Sequence, residues 1–283
     1  MSWREIDQSD LAWVEAFLRE HIQSSMFFLG NLRDYGLGSA APRGLQIWAR
    51  TEGGPALFAR TNEGMILLQA PDAGAVDWQA VEPLWQGRAV LGVLGETQQA
   101  ALFLEASGLS TRPTTISRPE PGYRLALGAM RMPDCAGFAL CPISPDLQHL
   151  AEDWRADYNA AVMGLSRLAA EQTAKQDIAA YMARDSHRIL LREGVPVAMT
   201  GFNASLPDVV QIGGVYTPPE QRGQGLARRA VALHLEEAKA QGVTQAILFA
   251  ASAAAARAYE AIGFELNGQF TMALFADVEA HAG

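Results

Sequence analysis

The stretch Val209-Val210-Gln211-Ile212-Gly213-Gly214-Val215-Tyr216-Thr217-Pro218-Pro219-Glu220-Gln221-Arg222-Gly223-Gln224-Gly225-Leu226-Ala227 decides the fold. Its first half is rich in β-branched residues, which reads as a strand. Two prolines interrupt it, and Arg222 opens a Gly-x-Gly turn into a helix expected from Gly223 to about residue 240. Glycines expose consecutive backbone N–H groups and admit a ligand close to the chain. The helix N-terminus adds roughly half a positive charge, and Arg222 adds a full one. Together these make a cradle for a pyrophosphate. Gly213-Gly214 inside the strand is unusual, because glycine weakens strands. Such a pair marks a bulge or a close approach of another group.

Several meanings compete for this segment. A glycine-rich turn capping an amphipathic helix accounts for Gly-x-Gly taken alone. A dinucleotide fingerprint fails, because Arg228 stands where the third glycine of G-x-G-x-x-G belongs. The loop from strand to glycines is also too long, and no acidic residue ends the following strand, Ile247-Leu248-Phe249-Ala250. A P-loop is excluded, since no G-K-[ST] occurs.

A second motif decides between them. Arg222–Ala227 fits R-x-x-G-x-[GA]. Beginning thirty residues after Arg222 stands Ser252-Ala253-Ala254-Ala255-Ala256-Arg257-Ala258-Tyr259-Glu260-Ala261-Ile262-Gly263-Phe264. This resembles the N-x-x-A-x-x-x-Y-x-x-x-G-F signature of the GCN5-related N-acetyltransferase (GNAT) superfamily. The element order of residues 138–275 resembles that fold throughout: a strand, two helices, three antiparallel strands, then helix, strand, helix, strand. The first half repeats this order more loosely, with helices over 10–22 and 26–32 and strands over 45–50, 56–60, 64–69 and 89–94. A helix over 97–107 and a strand over 123–132 complete it. The resemblance implies an α+β chain of two tandem GNAT-like domains, each a mostly antiparallel twisted sheet flanked by helices. The expected division is a diverged domain over 1–133 and an acetyl-CoA-binding catalytic domain over 134–283.

By that resemblance, Val215, Tyr216 and Thr217 pair through their backbone with the pantetheine arm of acetyl-CoA, the co-substrate. Arg222, Gly223, Gln224, Gly225, Leu226 and Ala227 hold the pyrophosphate. The acetyl thioester lies in a splay between strand 209–216 and strand 245–250. Ser252 takes the place of the usual asparagine, which contacts pantetheine; its hydroxyl is shorter but still forms hydrogen bonds. Tyr259 is the general acid. A neutral amine attacks the thioester directly, the departing thiolate needs a proton, and a phenol of pKa near 10 is reasonably matched to a thiol. Packing of Tyr259 with Ala255 and Ile262 on one helix face is the competing explanation. The base is open. Gln211 is the only polar residue inside the strand, leaving Asp208, Asp157 or Glu193 to act through water. Trp154, Asp157 and Tyr158 line an acceptor pocket or simply pattern an amphipathic helix.

The implied function is transfer of an acetyl group from acetyl-CoA to a primary amine of a small-molecule or amino-acid-like acceptor. The alternative is a non-catalytic acyl-CoA-binding regulatory module, favoured by Ser252 and the missing strand carboxylate. The first half is expected to bind no acyl-CoA. Its strand–turn–helix, Ala89–Ala100, keeps the single turn glycine Gly95 and places Glu96 at the helix N-terminus, where a carboxylate repels a pyrophosphate.

Composition agrees with this. The chain has 283 residues, 49% of them hydrophobic and 19% charged, with a net charge of -9. That is the material of a globular protein with ample core. The negative balance argues against nucleic-acid partners and suits a small cationic one. Cys135 and Cys141 match no zinc or redox spacing. The histidines at 21, 149, 187, 234 and 281 form no ligand cluster, so no metal is expected. No signal peptide or membrane-spanning run is apparent, which makes a cytoplasmic protein the expectation.

Overall fold

Apolar β-rich runs bounded by glycine and proline become strands, and alanine-rich amphipathic runs become helices. The computed structural model of the protein describes residues 2–276. In chain order it has β1 (Trp3–Glu5), α1 (Leu11–Glu20), α2 (Ile22–Tyr35), β2 (Leu45–Arg50), β3 (Leu57–Thr61) and β4 (Met65–Gln69). Then come α3 (Ala75–Ala80), α4 (Glu82–Trp85), β5 (Gly92–Glu96), α5 (Thr97–Ala106) and β6 (Thr114–Ala126). The second series is β7 (Phe138–Pro142), α6 (Gln148–Ala161), α7 (Arg167–Arg184), β8 (His187–Arg192), β9 (Val195–Ser205) and β10 (Val209–Tyr216). It closes with α8 (Leu226–Ala240), β11 (Gln245–Phe249), α9 (Ala253–Glu260) and β12 (Glu265–Phe275). With α3 and α4 counted as one element, the two series have the same order.

The chain forms two compact units that do not divide at the expected 133/134 position. Unit 1 holds the residues up to Glu120 together with those from Gly268 onward, and unit 2 is Pro121–Asn267. Unit 1 orders its strands β1-β2-β3-β4-β5-β12, and only β4 and β5 are parallel. Unit 2 orders its strands β6-β11-β10-β9-β8-β7, and only β10 and β11 are parallel. The last strand of each series therefore completes the sheet of the other unit: Phe270–Leu274 lie on β5, and Gly122–Ala126 lie on β11. Prolines 119 and 121 suggest a break in the sequence, yet β6 runs through both, because the φ that proline fixes is compatible with an extended chain. A chain cut at residue 134 would lack β6 and the turn after it, and with them Tyr123, Leu125 and Leu127, which are buried in the core of unit 2.

Aromatic rings fill unit 1: Trp78 and Trp85 meet Phe103 edge-on, with centroids 5.6 and 6.3 Å apart. In unit 2, Val231 and Leu235 of α8 and Tyr259 of α9 share a core with Ala246 and Leu248 of β11. Trp154, Ile178 and Tyr181 of α6 and α7 pack with Ile189, Met199 and Tyr216. No helix among the described residues is long and apolar enough to cross a membrane.

Candidate active site

The site begins where β10 leaves β11. The two pair in parallel only from Val209↔Gln245 to Gln211↔Ile247. Beyond that point β11 stays on β6 as far as Phe249. β10 stays on β9 but shifts register twice, after Gln211 and between Gly213 and Tyr216. Each shift bends the strand. Gly214 lies inside the second shift with φ +63°, in the left-handed region. A Cβ on Gly213 would overlap the Asn203 amide, and one on Gly214 would come 2.7 Å from His187 Nε2. The paired glycines thus permit both the bend and the packing over it. His187 is buried, stacks on Tyr181 at 3.5 Å and shares a 2.9 Å hydrogen bond between Nδ1 and Ser186 Oγ. Burial lowers its pKa well below the ordinary value, so the ring is neutral.

Between the parted strands lies a cavity of about 680 Å³, within the roughly 300–1,000 Å³ span of small-molecule sites. Val215, Tyr216, Thr217, the run Arg222–Ala227, Ser252 and Tyr259 all stand on its wall, so the residues expected from the sequence are brought together. Ile212, Leu248 and Phe249 line it from the strands, and Tyr158 from α6.

The turn ahead of α8 presents its N–H groups. Gly223 and Gly225 have φ of +79° and +71°, and no side chain caps the helix at Gly225. Its carbonyls are occupied: Arg229 Nη1 donates to Gln224 O at 2.9 Å and to Gly225 O at 3.3 Å. Arg192 Nη1 donates to Gln224 Oε1 and its Nη2 to Gln221 Oε1, at 2.7 and 3.0 Å. Arg222 Nε donates to Thr217 O at 3.0 Å. A helix end with unclaimed leading N–H groups is an anion site. Gly225 lies in the left-handed region, at φ +71°, where a side chain is strained, so the turn favours glycine there. Arg192 and Arg229 were not read from the sequence. Arg192 reaches the turn from another strand, and Arg229 looks like any exposed helix cation.

Ser252 Oγ accepts from Ala255 N at 3.2 Å and so caps α9. Tyr259 is buried, meets Phe264 edge-on at 5.9 Å and still reaches the cavity wall. Burial, with Tyr158 nearby, raises its pKa far above the usual phenol value, so it holds its proton at any working pH. The three carboxylates left open separate here. Asp208 adjoins the end of β10 that remains paired with β11, and Glu193 sits exposed in the β8–β9 turn. Asp157 accepts from the Tyr216 hydroxyl at 3.1 Å and from Arg167 Nη1 at 2.7 Å. Burial and Asp157 push Tyr216 up to about 12. Gln211 is buried, and its Oε1 finds no hydrogen-bond partner.

Among the described residues no three His, Cys, Asp or Glu side chains gather as a metal site; His281 lies outside them. The counterpart of the β10–α8 segment in unit 1 is not Ala89–Ala100. β4 pairs in parallel with β5 as β10 does with β11, so the equivalent turn is 70–74, ahead of α3.

Parted parallel strands beside a glycine turn are the arrangement that the resemblance to the GNAT superfamily leads one to expect, and the comparisons with known proteins point to the same family. Residues 147–264 match the model of the acetyltransferase (GNAT) family. Unit 2 therefore carries a GNAT acetyltransferase domain, of a family that transfers acyl groups from acyl-CoA. Over nearly the whole chain the fold is similar to that of a GCN5-related N-acetyltransferase from Kribbella flavida (17% identity, 92% of this chain and 95% of that one, TM-score 0.58). It is similar to a Drosophila protein (14% identity, 96% and 98%, TM-score 0.62). It is also similar to a tandem GNAT protein from the clavulanic acid biosynthesis pathway (15% identity, 96% and 97%, TM-score 0.56). At these identities the likeness is one of fold. Among curated proteins no sequence match is found.

Proposed function

We propose that unit 2 transfers an acetyl group from acetyl-CoA to the primary amine of a small-molecule or amino-acid-like acceptor. The observation that carries this reading is the parting of β10 from β11 beside the uncapped N-terminus of α8, with Tyr259 on the same cavity wall. The cofactor supplies a thioester. The N–H groups of Gly223 to Ala227 and the Arg222 guanidinium bind its pyrophosphate. The free edge of Val215, Tyr216 and Thr217 orients the pantetheine arm. Ser252 retains a hydroxyl proton to donate while its oxygen caps α9. Tyr259 donates a proton to the leaving sulfur; its burial keeps that proton in place but makes it a weaker acid than the phenol of pKa near 10 expected from the sequence. The net charge of -9 favours the approach of a cationic amine.

The second reading, acyl-CoA binding without turnover, is favoured by one feature: Ser252 is engaged as a cap where a pantetheine contact is expected. Calorimetry with acetyl-CoA and thiol release across a panel of primary amines separate the two. Binding with amine-dependent thiol release supports transfer. Binding with no release on any amine supports the module, and no binding removes both.

A further inference from the structure

Direct attack by an amine leaves a proton to be removed, and the strand carries no carboxylate for it. The structure places one a single hydrogen bond behind the cavity wall. Tyr216 stands at the end of β10, on the wall where the strand has left β11. Its ring packs on Trp154, with centroids 6.1 Å apart. Its hydroxyl donates to Asp157 Oδ2 at 3.1 Å. Arg167 Nη1 holds the other oxygen, Oδ1, at 2.7 Å, which leaves Oδ2 to the tyrosine. A phenol that donates its proton still has lone pairs free to accept one. The Asp157 side chain is 47% exposed, so a proton received there reaches water directly.

Resting on the acyl-transfer reading above, we propose that Tyr216 and Asp157 form the proton relay that deprotonates the acceptor amine. As the C–N bond forms and the C–S bond breaks, the amine proton passes to Tyr216 Oη while the phenol proton passes to Asp157 Oδ2. Asp157 releases it to solvent. The sulfur takes the proton of Tyr259, which is replaced from solvent. One proton leaves the amine and one arrives on the thiol, so the cycle balances. Tyr216 is the catalytic residue of the pair and Asp157 acts through it. The charged groups around them are Arg167 and Glu171 of α7 and Glu220 and Arg222 of the turn after β10.

The test compares the full chain with Asp157→Asn, Tyr216→Phe and the double variant. The probes are acetyl-CoA and primary amines of graded basicity. Asparagine still accepts the tyrosine hydrogen bond but takes up no proton, so a purely structural role would survive it. Each single variant should lower turnover by on the order of 10²-fold with acetyl-CoA affinity within a few-fold by calorimetry. The double variant should be no worse than the singles. The loss should shrink at high pH, where hydroxide takes the proton, and on weakly basic amines. Turnover of both single variants near wild type overturns the relay, as does a loss that is the same at every pH and on every amine. A wild-type chain that binds acetyl-CoA but acts on no amine overturns the transfer reading itself, and the relay with it.

Discussion

The two units begin their parallel strand pair in the same way and end it differently. In unit 1 the pair runs from Met65↔Gly92 to Leu67↔Leu94; in unit 2 it runs from Val209↔Gln245 to Gln211↔Ile247. After its third position β4 continues in unbroken register with β3, out to Leu57↔Gln69. A Cβ on Gly95 would then stand 3.3 Å from that of Leu68, so the neighbouring strands stay closed. β10 instead bends through Gly213 and Gly214 and opens a cavity. The helix ends differ likewise. Asp77 Oδ2 accepts Gly74 N–H at 2.9 Å ahead of α3, and Arg50 Nη1 lies 3.1 Å from the same oxygen. Glu96 Oε2 accepts from Gln98 N and Gln99 N at α5. Unit 1 thus fills its helix ends with its own carboxylates, where unit 2 keeps glycine and a neutral serine. Strand order holds the fold; one bend, one uncapped helix end and one helix end capped by a neutral serine line the cavity.

The comparison breaks most readily at Gly225. Gly225→Glu brings a carboxylate to the N-terminus of α8, as Asp77 does at α3 in unit 1, and forces a side chain onto a left-handed backbone. Losing two charge-assisted hydrogen bonds to a phosphate costs on the order of 10²–10⁴ in affinity. Calorimetry on the folded variant should show acetyl-CoA binding abolished, and unchanged affinity would remove the cradle from the account.

Tyr259→Phe comes next. Turnover should fall by on the order of 10²–10⁴ while acetyl-CoA affinity stays within a few-fold. A variant that works at the wild-type rate would leave Tyr259 a core residue of α9 and nothing more.

In unit 1 the corresponding change should affect stability and not binding. Arg50 and Asp77 are 4% and 6% exposed at their side chains, and breaking a buried ion pair costs about 3–5 kcal/mol. Asp77→Asn should lower the midpoint of a denaturant melt accordingly. Titration should still give one acetyl-CoA per chain, as for the wild type. A second equivalent in either protein would show that unit 1 also binds the cofactor.

Much of this was legible in the sequence, and what escaped was nonlocal. The cradle and Tyr259 lie on contiguous motifs whose spacing is set by a turn and a helix. Which sheet β6 or β12 joins is decided by distant partners, so the strand exchange left no local mark. The match of Ala89–Ala100 to the cradle segment failed for the same reason, since only the parallel pairing shows that 70–74 is the counterpart. Helices α3 and α4, of six and four residues, are too short for a periodic signal. Asp157 was one of three equal carboxylates until the Tyr216 hydroxyl singled it out.

The units should also differ in acid. Among the described residues, the fully buried histidines, His187 and His234, both lie in unit 2. His187 Nε2 and His234 Nδ1 have no hydrogen-bond partner. Burial lowers both pKa values, that of His234 to about 3, with Arg188 adding to the effect at each. Unit 1 buries the amides of Gln69 and Gln99, which do not titrate, and carboxylates held by arginine. An unfolded histidine takes up its proton below about pH 6.5, whereas these folded ones do not, so the unfolded state gains protons first and stability falls with pH. The slope is about 1.4 kcal/mol per pH unit for each histidine. It begins near pH 6.5 and ends, for His234, near pH 3. Asp10 of unit 1 has its carboxyl lowered by hydrogen bonds from Arg4 and Trp13, so its stabilising effect is lost only in stronger acid. Hydrogen exchange between pH 7 and 4.5, corrected for intrinsic rates, should therefore show β8–β10 losing protection while β2–β4 hold theirs. His234→Phe keeps the stack on Phe202, whose centroid is 3.9 Å away, but removes one titrating ring, and should flatten part of the slope. Parallel loss in both units, or a slope that His234→Phe leaves unchanged, would place the acid-sensitive groups elsewhere.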